Sequence, residues 1–180
     1  MTQKHLVVGI DWFGPYTLQE ARNAAYKHYG GGLYLCIGKL KGQHHTTPQY
    51  VGKSTSNLAS RMLKDHHKLS LVTRARKIWL GEIVTGDVPG KKKTLTPQSV
   101  RLGEWALAHF LALPLNERLR AQPPDRPVTV LNRWWSTNYE TPRKKRPHMR
   151  WPDLIDYRGS PYATHVVWFR APGLKVISHP

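Results

Sequence analysis

The chain is short of several things, and each shortage excludes a class of protein. It has one cysteine, Cys36, so no disulfide closes within it, and a cysteine-based zinc module is excluded. Cys36 lies in an apolar run and reads as a small buried residue, not a nucleophile. No apolar run approaches the length of about 18 residues that spans a bilayer. The first residues, Met1 to His5, lead into a short apolar strand without a signal-peptide pattern. The expected setting is the reducing cytoplasm, with no membrane association. Acid is also scarce: 11 Asp and Glu stand against 28 Lys and Arg, a net charge of +17. A surface this basic favours a polyanionic partner, nucleic acid first. An anionic membrane or an acidic protein would give the same count.

What is present suits one folded domain. Hydrophobic residues make up 39% of 180, enough for a core and too many for disorder throughout. Residues 5–10 read as a strand, with a turn at Gly14-Pro15. Thr17 opens a helix through Tyr29, with Glu20 completing a capping box, and Gly30-Gly31-Gly32 ends it. Leu33–Gly38 and Gln49–Gly52 read as a hairpin with a polar connection. A helix is expected over about 56–66 and a strand over 77–84. Thr96-Pro97 starts a helix that runs from about Gln98 to Ala112. Short strands are expected at 128–131, 164–170 and 174–178. Basic loops hold Lys91-Lys92-Lys93 and Arg143-Lys144-Lys145-Arg146. Seven tryptophans serve either as core or as stacking platforms for bases.

Chemistry concentrates around the hairpin. Gly32-Leu33-Tyr34 opens its first strand and Tyr50-Val51-Gly52 closes its second. Tyr34 and Tyr50 on adjacent antiparallel strands can share one face. Arg61, His66 and His67 follow on the next helix. Glu104 is the one carboxylate in an apolar helical stretch, and a buried acid needs a partner, such as a metal ion.

This ordered set resembles the GIY-YIG nucleases, over roughly residues 32–116. The resemblance implies an α+β domain: a three-stranded antiparallel sheet flanked by helices in a catalytic core of about 30–120. An N-terminal β-α extension (1–29) and a basic, Trp-rich C-terminal extension with added strands (121–180) would complete a single domain. It implies a metal-dependent endonuclease that hydrolyses phosphodiester bonds in DNA, with a restriction enzyme and a mobile-element nuclease both open. Tyr34 and Tyr50 match the two motif tyrosines, Gly52 the close-approach glycine, Arg61 the catalytic arginine and Glu104 the metal-ligating glutamate. Asn116 matches the family asparagine, in competition with Asn132.

The residue types fit the chemistry. Mg²⁺ (or Mn²⁺) on Glu104 would act as a Lewis acid, and Arg61 would stabilise charge on the phosphate. One tyrosine would activate the water, with Tyr34 the expected base, or His66 or His67 would relay the proton. Lys53 would touch the phosphate as a point charge. Lys91, Lys92, Lys93, Asn132, Arg133, Arg143, Lys144, Lys145 and Arg146 are expected to contact nucleic acid outside the core, the basic runs through phosphates. The expected partner is double-stranded DNA, bound by a monomer or a homodimer. Gly52-Lys53-Ser54 is not a P-loop, because Thr47 stands where that motif needs its first glycine. Two rivals remain: a basic module that holds DNA or RNA without cutting it, and a nuclease acting on RNA or single-stranded DNA.

Overall fold

The computed structural model describes residues 4–63, 67–85, 95–169 and 173–179. Its elements are β1 Leu6–Tyr16, α1 Leu18–His28, β2 Gly32–Lys39, β3 Thr47–Ser54, α2 Leu58–Leu63, α3 His67–Ser70 and β4 Arg74–Ile83. Then come α4 Pro97–Phe110, α5 Glu117–Ala121, β5 Val128–Trp135, β6 Leu154–Tyr157, β7 Thr164–Trp168 and β8 Gly173–Ile177. The described strands form one mixed sheet of eight, in the order β3-β2-β4-β1-β5-β6-β7-β8.

This corrects the expected three-stranded sheet. The antiparallel set β3-β2-β4 exists, but as one end of the larger sheet. The N-terminal and C-terminal segments are not appendages to it. β1 lies at the centre of the sheet, antiparallel to β4 and parallel to β5. Its burial is almost continuous from Val8 to Trp12 and beyond, as befits a strand covered on both faces. The chain does not turn at Gly14-Pro15. β1 passes through this pair, joined by a cis peptide, with a register shift against β4 between Phe13 and Tyr16. A sixth strand in sequence order, β6, gave no sequence signal and joins β5 to β7.

Local signals for the helices agree with the structure. Thr17 and Glu20 form the capping box of α1. Thr96 caps α4, with Pro97 in its first turn, where the missing N–H costs nothing. Of the helix expected over 56–66, the described part holds α2, Leu58–Leu63, and α3 follows beyond that range at His67–Ser70.

Two buried clusters lie on opposite faces of the sheet. One joins Leu33, Leu35 and Val51 to α4 through Val100, Leu107 and Ala108. The other joins Tyr34, Cys36 and Tyr50 to Leu58, Ala59 and Met62 of α2 and to Ala21 and Ala25 of α1. Alternation along β2 and β3 makes this division, since successive side chains point to opposite faces. The first cluster continues into an aromatic centre. Trp151 packs edge-on against Trp12, Trp79 and Trp134, at centroid distances of 4.9, 6.2 and 6.0 Å. Those four tryptophans are buried, so for them the core reading holds. Truncating a fully buried Trp such as Trp151 costs about 3–5 kcal/mol.

Candidate active site

Register brings the two motif tyrosines together. Tyr34 pairs with Gly52 across the β2–β3 ladder, and Cys36 pairs with Tyr50. Tyr34 and Tyr50 are therefore diagonal neighbours on one face. Their rings lie 5.9 Å apart between centroids. Gly52 makes room for this: a Cβ there would overlap the Tyr34 ring.

The hydroxyls are ordered as well. Tyr34 and Tyr50 share a hydroxyl hydrogen bond, and the Arg61 guanidinium also bonds the Tyr50 hydroxyl. Burial pushes both phenols above their ordinary range. The neighbours treat them differently, however. The bond to Tyr50 raises Tyr34 further, whereas the bonds from Tyr34 and Arg61 lower Tyr50. Hydrogen bonds donated to a phenolate stabilise it. Tyr50, bonded by Arg61, is thus the better seat for a negative charge, and Tyr34, with no solvent exposure, lies bonded beside it.

Glu104 approaches from α4, on the other face. Lys53 follows Gly52 on β3 and points to that side, where its Nζ lies 3.1 Å from Glu104 Oε2. The glutamate side chain is 12% exposed. Burial raises its pKa, opposed by Lys53 and, more weakly, by Arg61. Glu104 in turn acts on Tyr50, raising it. The set therefore straddles β3, the edge strand of the sheet: tyrosines and Arg61 on one side, Lys53 and Glu104 on the other. Lys53 was expected at a phosphate, and its partner in this structure is Glu104.

Asn116 has a different place from the one expected. Its Nδ2 donates to the Val51 carbonyl at 2.8 Å, and its Oδ1 accepts from the Val51 N–H at 2.9 Å. Leu115 N–H donates to the Gln49 carbonyl beside it. An edge strand presents unpaired backbone groups, and Asn116 closes two of them as a neighbouring strand would. It precedes α5 at the N-cap position but makes no capping bond, because its amide is engaged with β3. Asn116 thus positions β3 through both ends of its amide.

Other expected residues divide. Asn132 is 2% exposed, accepts from Trp12 Nε1 at 2.8 Å and donates to the Pro152 carbonyl. It is a core residue and cannot touch nucleic acid, nor does it replace Asn116. Arg133 is surface-placed but forms a two-bond ion pair with Asp11. Arg146 pairs with Asp153 at 3.0 Å, which removes it from the free cations of its run. Arg143, Lys144 and Lys145 are exposed. Cys36 is buried, its thiol pushed up to about 12 by desolvation, in keeping with an inert core residue. His66 and Lys91, Lys92 and Lys93 lie outside the described residues, as does the side chain of His67.

The donor set fits a hydrated hard cation only. Among the described residues no group of three His, Cys, Asp or Glu side chains converges, so an all-protein cage is not built from them. The Glu104 carboxylate offers oxygen ligands, suited to Mg²⁺, which retains much of its water and would be shared with a substrate phosphate. No helix among the described residues is long and apolar enough to cross a membrane. Comparison with family models, curated proteins and solved structures found no match to this chain.

Proposed function

We propose that this chain is a metal-dependent endonuclease of the GIY-YIG type that hydrolyses phosphodiester bonds in DNA. One observation carries the reading: Tyr34, Tyr50, Arg61, Lys53 and Glu104, spread over 71 positions of sequence, come together around one edge strand. The net charge of +17 supplies the attraction to a phosphate backbone.

In this reading Tyr50 acts as a phenolate: its oxygen takes the proton of the attacking water and returns to the neutral phenol. The bonded Tyr34 hydroxyl and Arg61 stabilise the phenolate before the transfer, and Arg61 also faces the phosphoryl oxygens. The choice of Tyr50 over Tyr34 as base follows from Arg61, whose guanidinium bonds the Tyr50 hydroxyl. Glu104 would hold a divalent ion, which supplies Lewis-acid stabilisation of the developing charge. Lys53 opposes the rise that burial gives the Glu104 pKa and would add positive charge near a bound phosphate.

The test is nicking of supercoiled plasmid with Mg²⁺, with EDTA as control. Glu104→Gln should abolish cutting while leaving DNA affinity largely intact. Tyr50→Phe should slow it by about 100- to 10,000-fold, the range of general-base contributions. Cutting by Glu104→Gln at the parent rate refutes the proposal. The rival reading, a module that binds without cutting, draws on the Lys53–Glu104 ion pair, which satisfies the buried acid without any metal. It predicts no Mg²⁺-dependent nicking by the parent protein.

A further inference from the structure

Away from the tyrosines, a groove of about 990 Å³ opens between β5, the 143–149 segment and the end of β7. Arg143 also reaches across to the Trp79 ring on β4, but the groove's lining shares no residue with the candidate active site. Its walls combine two features. Arg143, Lys144 and Lys145 line it and are exposed, and the acid among its lining residues, Asp153, is already paired with Arg146. Beside these cations are Met149 and Phe169, 80% and 49% exposed.

The Phe169 ring is presented by a built support. Its backbone N–H donates to the nearly buried Asp153 carboxylate at 2.7 Å, and its carbonyl accepts from Arg146. The neighbouring Trp168 lies against Gly173, where a Cβ would come within 3.3 Å of the indole ring. An exposed aromatic ring on a backbone clamped from both sides is preorganised, so little conformational freedom is lost when something stacks on it.

We infer that this groove binds an unpaired stretch of DNA, with a base stacked on Phe169 and the adjoining phosphates held by Arg143, Lys144 and Lys145. Cations interleaved with ring faces match a chain that alternates phosphates with bases. A duplex hides its base faces in its own stack, and so leaves Phe169 and Met149 unused. Ribose would add a 2′-hydroxyl, whereas in the lining Asn132 Oδ1 already accepts from Trp12 and Asp153 Oδ2 already serves Phe169 and Arg146; deoxyribose asks for no such partner. This goes beyond the cleavage reading and is measured by binding alone in EDTA, so failure of either is a separate result.

The experiment uses fluorescent oligothymidylate of about 12 nucleotides, within the usual site size. It is compared with a chain of the same length carrying abasic sites, with oligouridylate and with a duplex. The parent should bind oligothymidylate more tightly than the other three. Phe169→Ala should weaken that binding about 5- to 150-fold and leave the abasic chain unaffected, while Phe169→Tyr should bind like the parent. Changing Lys144 and Lys145 to Gln should weaken oligothymidylate and abasic chains alike. It should also flatten the salt dependence by about 0.7 for each phosphate no longer neutralised. Thermal unfolding confirms that each variant is folded. Equal binding of the abasic chain, or parent-like binding by a folded Phe169→Ala, overturns the stacking site. Tighter binding of the duplex or of oligouridylate overturns the assignment to unpaired DNA.

Discussion

Removing the Asn116 side chain tests whether this residue builds the site or takes part in the chemistry. Asn116 closes both backbone groups of Val51 with hydrogen bonds of 2.8 and 2.9 Å, and both residues are buried. Asn116→Ala leaves a donor and an acceptor without partners. Each such group costs about 1–3 kcal/mol, so the loss is about 2–5 kcal/mol, allowing for water reaching the edge strand. In urea, with a slope of about 2 kcal/mol per M, the midpoint should fall by about 1–2.5 M. Asn116→Asp gives a sharper result. The introduced carboxylate still accepts from the Val51 N–H but opposes the Val51 carbonyl. Its protonated form donates to that carbonyl and restores the pair. The folded state thus favours the proton, and the folded pKa of the introduced carboxyl lies above its unfolded value. The stabilising contribution is full below the unfolded pKa and is lost as pH rises through the folded one. Urea midpoints of parent and Asn116→Asp should therefore converge toward acid pH and diverge toward neutrality. An Asn116→Ala protein of parental stability that no longer cuts DNA would refute the clamp and return Asn116 to the substrate.

Three further outcomes follow from the same geometry. Gly52→Ala sets a methyl into the Tyr34 ring and should destabilise the fold by about 1–3 kcal/mol, seen as a lower Tm together with slower nicking. Lys53→Met leaves Glu104 without its nearest cation, so the glutamate pKa should rise further. The resulting stability defect should grow as pH rises through that pKa and shrink in acid, and the double variant with Glu104→Gln should recover most of it; a pH-independent defect would show that the ion pair is not its source. If Tyr50 is the base, its raised pKa leaves little phenolate at neutrality, and the nicking rate should climb with pH across the neutral and mildly alkaline range. A flat profile over that range would point to another proton acceptor.

Much of the candidate site was legible in the amino-acid order, because its signals are local. Gly32-Leu33-Tyr34 and Tyr50-Val51-Gly52 are short strands whose two-residue period places both tyrosines on one face once they pair as a hairpin. Arg61 and Glu104 could be placed on helices from capping residues and apolar spacing alone, and Thr17 with Glu20 announced α1 outright. What the residues do to one another was not legible. Whether the Tyr34 and Tyr50 hydroxyls meet, whether Lys53 meets a phosphate or Glu104, and whether Asn116 meets the Val51 backbone all depend on distances of a few ångströms between distant segments. The sheet was misjudged for a related reason. A strand signal reports that a segment is extended and partly buried, but not which strand lies beside it. The parallel pairing of β1 with β5 joins Leu6 to Val128 and leaves no local trace in either sequence. Likewise, Asn132 stands in a run of aromatic and basic residues that reads as a surface, yet Trp12 and Pro152 enclose it. Composition and short-range order determined the elements, the charge and the reactive residue types. Long-range packing alone decided the eight-stranded sheet, the partners of the buried polar groups, and the support beneath Phe169, since each joins residues that the chain holds far apart.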